Sequence, residues 1–197
     1  MIEEQLPFKF KFAEAGIVSP VNTSMKKQGK KMRIGLMFGS TTSNSERTAE
    51  TIWNTMQETE LHDIKDGVEV LEQYEKVIIV SPTWDYGDLQ EDYIEAWDKL
   101  QTVNWSNKSV ALVGLGDQVG YSDLYQDSMS TLYETIKKLG GTFVGFTSTD
   151  GHSFQKSEAL RDGKFVGLAI DEDNQPNLTK ERLNTWIEDI RSSWGIT

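Results

Sequence analysis

Three loops of this 197-residue chain carry the residue types that a cofactor site needs. In the first, five of the six side chains bear hydroxyls and none is charged, and a helical pattern begins at its end; its members are Ser40, Thr41, Thr42, Ser43, Asn44 and Ser45. Neutral donors at a helix N-terminus are suited to a phosphate monoester held without magnesium. The loop has neither the lysine of a P-loop nor the glycines of a dinucleotide fingerprint. Taken alone, it is explained equally well as an ordinary serine-rich N-cap.

The second and third loops place aromatic side chains beside glycines. Trp84 and Tyr86 come just before Gly87, and Tyr121 follows the stretch 116–120, which begins and ends with glycine. A single aromatic residue in a loop is usually a packing residue, but two such loops beside the hydroxyl-rich loop indicate walls for a flat ring. The three loops together predict a site for a planar ring that carries a phosphorylated tail.

The elements around these loops indicate how the loops would meet. Continuous apolar runs alternate with helical patterns, which predicts an α/β fold with a parallel sheet covered by helices on both faces. The loops then lie at the carboxyl ends of the strands, where such folds bind ligands. We expect strands at 33–38, 60–64 (weak, at an edge), 76–81, 109–114 and, in two pieces, 143–146 and 165–170, with helices from about 45, 90, 123 and 179.

Composition excludes several classes of function. The chain has no cysteine and two histidines, so it cannot form a disulfide, a thiolate-held cluster or a multi-histidine metal site, and we predict no metal. Its net charge of −11 argues against nucleic acid and anionic membranes and favours basic proteins as partners. Redox chemistry would therefore need a cofactor that the protein binds non-covalently.

The charge is unevenly distributed along the chain. Residues 1–31 hold six bases and three acids, a net of +3, whereas residues 32–197 hold 14 bases and 28 acids, a net of −14. We interpret 1–31 as a basic extension or linker, with Met25 and Met32 as alternative starts, and 32–197 as one domain. A sharper hypothesis is that the basic segment folds back on the acidic domain. The segment has no long apolar run, which predicts neither a secretory signal nor a membrane anchor, and hence a cytoplasmic protein.

From Met32 to Trp194 the chain resembles the flavodoxins, and among them the long-chain, second-type bacterial members. The resemblance depends on 82–84, 116–123 and 163–175, and on the Trp-Asp-Tyr-Gly loop that begins at Trp84. It implies a flavodoxin-like doubly wound sheet of five parallel strands in the order 2-1-3-4-5, with the last strand interrupted by the long-chain insertion. It also implies flavin mononucleotide (FMN) as the cofactor.

The resemblance also implies roles for individual residues. Residues 40–45 would form the phosphate loop, with Ser43 where glycine is usual, and Trp84 and Tyr121 would stack on the two faces of the isoalloxazine ring. His152 would have a surface role. The full set of cofactor-binding residues implied is Ser40, Thr41, Thr42, Ser43, Asn44, Ser45, Pro82, Thr83, Trp84, Asp85, Tyr86, Gly87, Leu115, Gly116, Asp117, Tyr121, Gln126 and Asp150, of which Asp117 would approach the pyrimidine edge and Asp150 the ribityl chain.

The function implied is that of a low-potential one-electron carrier without enzymatic activity, working as a monomer. Its partners would be basic docking patches on a flavodoxin/ferredoxin-NADP reductase-type donor and on low-potential acceptor enzymes. The acids that would form its docking face are Asp85, Asp88, Glu91, Asp92, Glu95 and Asp98. Two alternatives are an FMN-dependent NAD(P)H:quinone reductase-type enzyme on the same fold and a flavin-free binding module.

Overall fold

The computed structural model describes residues 33–196, and a parallel sheet lies at their centre. The predicted basic segment 1–31 falls outside the described residues, so its boundary and its role stay predictions. The strands in chain order are β1 Ile34–Phe38, β2 Thr59–Asp63, β3 Lys76–Trp84, β4 Asp88–Leu89, β5 Ser109–Leu115, β6 Thr142–Val144, β7 Thr147–Ser148, β8 Leu160–Arg161, β9 Lys164–Phe165 and β10 Leu168–Ile170.

The strand order confirms the predicted doubly wound topology. The main sheet runs β2-β1-β3-β5-β10 with parallel pairing throughout, so β2 is the predicted edge strand. Both β6 and β10 pair with β5, β6 along residues 109–111 and β10 along residues 113–115. They are two pieces of one interrupted fifth strand. When β5 is counted as the fourth strand and β6 with β10 as the fifth, the order is 2-1-3-4-5.

Helices cover both faces of the sheet because every central strand is apolar on both sides. Their bounds are α1 Asn44–Thr55, α2 Glu91–Thr102, α3 Asp127–Lys138 and α4 Pro176–Ser193, and two 3-10 turns, Ile64–Asp66 and Val68–Gln73, follow β2. One core cluster packs α2 and α3 on the sheet and the other packs α1 and α4. Among residues 33–196, no helix is long and apolar enough to cross a membrane.

The insertion in the last strand forms a small sheet of its own that the sequence did not predict. Strands β7, β9 and β8 pair in that order, each over two residues and antiparallel. Pairings this short contain one alternation of side chains, which is too little for a periodicity to be detected. The insertion is anchored by Phe165, which is fully buried in the core cluster that also contains residues of α2 and α3.

Candidate cofactor site

A cleft of about 540 Å³ opens where β3 and β5 end, at the carboxyl edge of the sheet. It brings together residues from all three predicted loops. Its lining contains ten of the predicted site residues, Thr42, Asn44, Pro82, Thr83, Trp84, Asp85, Leu115, Gly116, Asp117 and Tyr121, and three that were not predicted, Leu124, Tyr125 and Asp173.

The hydroxyl-rich loop leaves two buried oxygen atoms without hydrogen-bond partners. Ser43, which precedes α1, has a φ of 65°, in the left-handed region that favours glycine, and within residues 33–196 its side chain makes no cap hydrogen bond. Within the described part of the chain, the buried Oγ atoms of Ser40 and Ser45 have no partner. Buried polar groups are nearly always hydrogen-bonded. These two hydroxyls beside the first N–H groups of α1 therefore fit a phosphate group.

The second loop is a tight hairpin between β3 and β4. The Gly87 amide donates to the Trp84 carbonyl over 3.0 Å, and β3 and β4 pair antiparallel on either side. Asp85 takes a φ of 43°, which aspartate tolerates better than most residues, and Gly87 takes a φ of 92°. This turn leaves Trp84 half-buried on the cleft wall and Tyr86 87% exposed at the tip.

The third loop is shaped by Asp117. Its Oδ1 accepts the amides of Val119 and Gly120 over 2.9 and 2.7 Å, and the side-chain amide of Asn174 over 2.7 Å. Burial alone would raise the pKa of Asp117, but these donors outweigh it and hold the pKa below its usual value. Asp117 therefore stays ionised at neutral pH, and Tyr121 beyond it is left 54% exposed on the cleft.

A buried carboxylate fixes this loop to the end of β10. Asp171 accepts the backbone amide and the Nε2 of Gln118 over 3.2 and 2.7 Å, and the Gln118 Oε1 accepts the amide of Ser153 in the insertion. Asp171 is fully buried. Because the donors come from two separate loops, the aromatic wall of the cleft is held by the insertion as well as by the sheet.

Carboxylates make the cleft electronegative. Asp85, Asp117 and Asp173 all line it. Burial raises the pKa of Asp173, and the neighbouring Asp117, Asp171 and Glu172 raise it further. A ligand that gains negative charge in this cleft is therefore repelled by its lining.

Other predicted site residues lie outside the lining of the cleft. Tyr86 and Gly87 form the hairpin turn, Ser40, Thr41, Ser43 and Ser45 lie in the hydroxyl-rich loop, and Gln126 is fully buried, donating to the Ile170 carbonyl over 3.1 Å. Asp150 lines a second cleft, with His152 and Arg182. The contacts that the resemblance implies between all these residues and a cofactor stay predictions.

Two expectations about individual side chains are wrong. His152 is half-buried and not an exposed surface residue: it packs against Tyr125 and Phe165, with ring centroids at 5.6 and 5.4 Å, and its Nδ1 meets the Tyr125 hydroxyl at 2.9 Å. Asp92 does not belong to the exposed acidic face, because it is buried, accepts from Gln90 Nε2 over 2.7 Å and pairs with Lys65 at 3.3 Å.

Sequence reasoning missed three residues of the cleft lining. Tyr125 lies with Tyr121 in the turns before α3, where helical spacing does not apply, so no periodicity indicated it. Asp173 belongs to the stretch 163–175 that carried the family resemblance, but no role had been attached to it. Leu124 gave no signal, since an apolar residue beside a helix is ordinarily core.

Comparison with known proteins decides the family. The family model described as flavodoxin matches residues 36–186. This chain belongs to the flavodoxin family. It is 45% identical to a flavodoxin of Picosynechococcus sp., over 83% of this chain and 99% of the relative. It is 41% identical to flavodoxin 2 of Escherichia coli, over 81% and 95%.

The solved structures agree with this assignment. The Fusobacterium nucleatum flavodoxin bound to flavin mononucleotide superposes on this flavodoxin with a TM-score of 0.79 at 34% identity, covering 82% of this chain and 98% of that one. The predicted flavodoxin-like fold and family membership are thus both confirmed.

Proposed function

We propose that this flavodoxin holds FMN non-covalently in the 540 Å³ cleft and carries one electron at a time from a reductase to acceptor enzymes. The proposal rests on the buried hydroxyls of Ser40 and Ser45, which have no hydrogen-bond partner in the part of the chain that the structure describes. They belong to the loop whose Thr42 and Asn44 line the same cleft as Trp84 and Tyr121. We therefore propose that the donors for a phosphate and the aromatic faces for a ring belong to one site. When bound, FMN supplies the reversible one-electron chemistry.

The chain's own residues would do three things for the cofactor. The hydroxyl-rich loop and the first turn of α1 would bind the phosphate. Trp84 and Tyr121 would bind the ring system, while Asp117 and Gly116 would lie along one edge. The complete set of contacts we propose is that of the family resemblance: Ser40, Thr41, Thr42, Ser43, Asn44, Ser45, Pro82, Thr83, Trp84, Asp85, Tyr86, Gly87, Leu115, Gly116, Asp117, Tyr121, Gln126 and Asp150.

The charge of the cleft favours a strong reductant. Two unit charges roughly 4 Å apart interact by about 4 kcal/mol at an effective dielectric constant near 20. Asp117, which is held ionised by its hydrogen bonds, and the exposed Asp85 would therefore disfavour any reduced flavin that carries negative charge. Lowering the reduction potential in this way suits a donor to low-potential enzymes.

An acidic face beside the cleft is our candidate for partner docking. Glu91, Glu95 and Asp98 are exposed on one side of α2 and surround Ile94, which is 58% exposed. Asp85 and Asp88 continue the acidic surface at the hairpin, next to the exposed Tyr86. Apolar side chains among carboxylates suit a basic patch on a reductase or an acceptor, because charge guides the encounter and salt weakens it.

We further propose that the protein is a monomer and works in the cytoplasm. A net charge of −11 makes copies of the chain repel one another, and the exposed apolar side chains of the docking face are surrounded by carboxylates. Light scattering of the purified protein and fractionation of cells that express it would test the two statements.

Purification and one assay separate this function from the alternatives. The protein should be yellow, with about one FMN per chain released on denaturation, and should oxidise NADPH only when a reductase is added. A colourless protein that does not take up FMN would contradict the proposal and favour a flavin-free module. Rapid NADPH oxidation without any reductase would favour the quinone reductase-type enzyme.

A further inference from the structure

We infer that Arg47 is a positioning residue for phosphate recognition, which holds the Asn44 side-chain amide so that it presents only N–H donors to the cleft. The consequence is selection of FMN over riboflavin, the same molecule without the phosphate. The inference deepens the proposed function and rests on it.

The contact between the two side chains fixes the orientation of the amide. An Arg47 Nη2 group donates to Asn44 Oδ1, one turn earlier on α1. An amide offers either an acceptor oxygen or a donor nitrogen, but a guanidinium has donors only. The atom that faces Arg47 must therefore be the oxygen, and the NH₂ group of Asn44 is left for a ligand.

Asn44 stands between Arg47 and the cofactor cleft. It lines that cleft together with Thr42, and it also lines a neighbouring cleft of about 470 Å³ between α1 and α4. Arg47 and Lys180 line this neighbouring cleft but do not belong to the lining of the cofactor cleft. Arg47 thus reaches the phosphate loop through Asn44.

The orientation of the Asn44 amide matters because residues 40–45 have no charged side chain that could attract a phosphate. An Asn44 oxygen turned toward a phosphate dianion would repel it, while an NH₂ group donates to it. A second observation points to the ligand independently: Ser45, the next residue, is buried with its Oγ unpartnered among the described residues. Glu46 adds negative charge in the same helical turn, so the remaining donors must be oriented correctly.

The test compares two ligands on matched variants. Apo-protein is titrated with FMN and with riboflavin, and binding is followed by quenching of flavin fluorescence. Arg47→Met should weaken FMN binding about tenfold, because the Asn44 amide is no longer held to donate to the charged phosphate. Riboflavin has no phosphate, so its binding should stay within about twofold of wild type. Lys180→Met removes a cation from the same neighbouring cleft but leaves the hydrogen bond between Arg47 and Asn44, so it should leave the ratio of the two affinities unchanged.

Three results would overturn the inference. Equal weakening of FMN and riboflavin by Arg47→Met would indicate a structural role only. If Lys180→Met reduced the ratio of the FMN affinity to the riboflavin affinity as much as Arg47→Met does, the effect would be a long-range electrostatic one. A full effect of Arg47→Met in an Asn44→Ala background would show that Arg47 does not act through Asn44. If wild-type protein bound neither ligand, the proposed function itself would fail, which is a distinguishable outcome.

Discussion

At the scale of single residues, Ser43 holds an unfavourable backbone conformation in the hydroxyl-rich loop. A φ of 65° is unfavourable for any residue other than glycine, and among the described residues the Ser43 side chain makes no cap hydrogen bond that would offset this cost. We expect Ser43→Gly to raise the free energy of unfolding of the apo-protein by about 0.5–1 kcal/mol, measured by urea denaturation. Ser192→Gly, inside α4, should instead lower it by a few tenths of a kcal/mol. A Ser43→Gly protein less stable than wild type would contradict the strain argument.

Trp84 gives the residue-scale test of the ring site. Trp84→Ala should weaken FMN and riboflavin binding alike, by about 10- to 100-fold, because an aromatic face is lost from the cleft. The control is Trp53→Ala, since Trp53 is 47% exposed on α1 and does not line the cleft. Fluorescence titration measures both. An unchanged affinity in Trp84→Ala would exclude this side chain from the ring site.

Residue types in the three loops were enough to predict where the cleft forms, because the carboxyl ends of parallel strands share one edge of the sheet. They were insufficient wherever the outcome depended on a partner far away in sequence. Asp92 appeared to be one acid among several, and its ion pair with Lys65 joins it to a different element that local sequence does not indicate. The hydrogen bond from Asn174 to Asp117 is equally invisible to local pattern.

At the scale of elements, His152 packs the insertion against Tyr125, which precedes α3. Burial, together with the nearby charge of Arg182, lowers the pKa of His152 to about 4. In the unfolded chain the histidine pKa is near 6.5. Between pH 6.5 and pH 4 the unfolded chain therefore binds a proton on this histidine, whereas in the folded chain the histidine stays neutral. The folded state is therefore fully stable above pH 6.5 and loses up to about 3 kcal/mol as the pH falls toward 4.

His152→Phe should remove this pH dependence while keeping the aromatic packing with Tyr125 and Phe165. The free energy of unfolding of the variant and of wild type, measured from pH 7.5 to pH 4, should diverge as the pH falls, in favour of the variant. The comparison at pH 7.5 isolates the effect of packing, because the histidine is neutral there in both states. Parallel curves over the whole range would contradict the burial of a neutral His152.

The helices and main strands were predicted closely because each is long enough for its pattern of apolar residues to be recognised. Boundaries failed where tertiary contacts decide them. Helix α3 begins at Asp127, four residues beyond the predicted start, since 117–126 are held in turns by Asp117 and Gln126. Helix α4 begins at Pro176, three residues before the expected start, and proline is well suited to a first helical turn.

At the scale of the whole molecule, the acidic face should govern encounter with a donor. Transfer from a reductase to this protein should slow as ionic strength rises, because screening weakens the attraction between the acidic face and a basic patch. Glu91→Lys and Glu95→Lys should lower the second-order rate constant at low salt several-fold each. Glu50→Lys, an equal change of charge at an exposed site on α1, is the matched control and should have a smaller effect. Rates indifferent to salt would exclude electrostatic docking.

A spectroelectrochemical titration of the purified protein shows whether it binds FMN and uses it for single-electron transfer at low potential. We predict two separate one-electron steps, the second at a potential well below that of free FMN, because carboxylates line the cleft. A single two-electron step at the potential of free FMN, or the absence of a bound flavin, would exclude the proposed one-electron carrier.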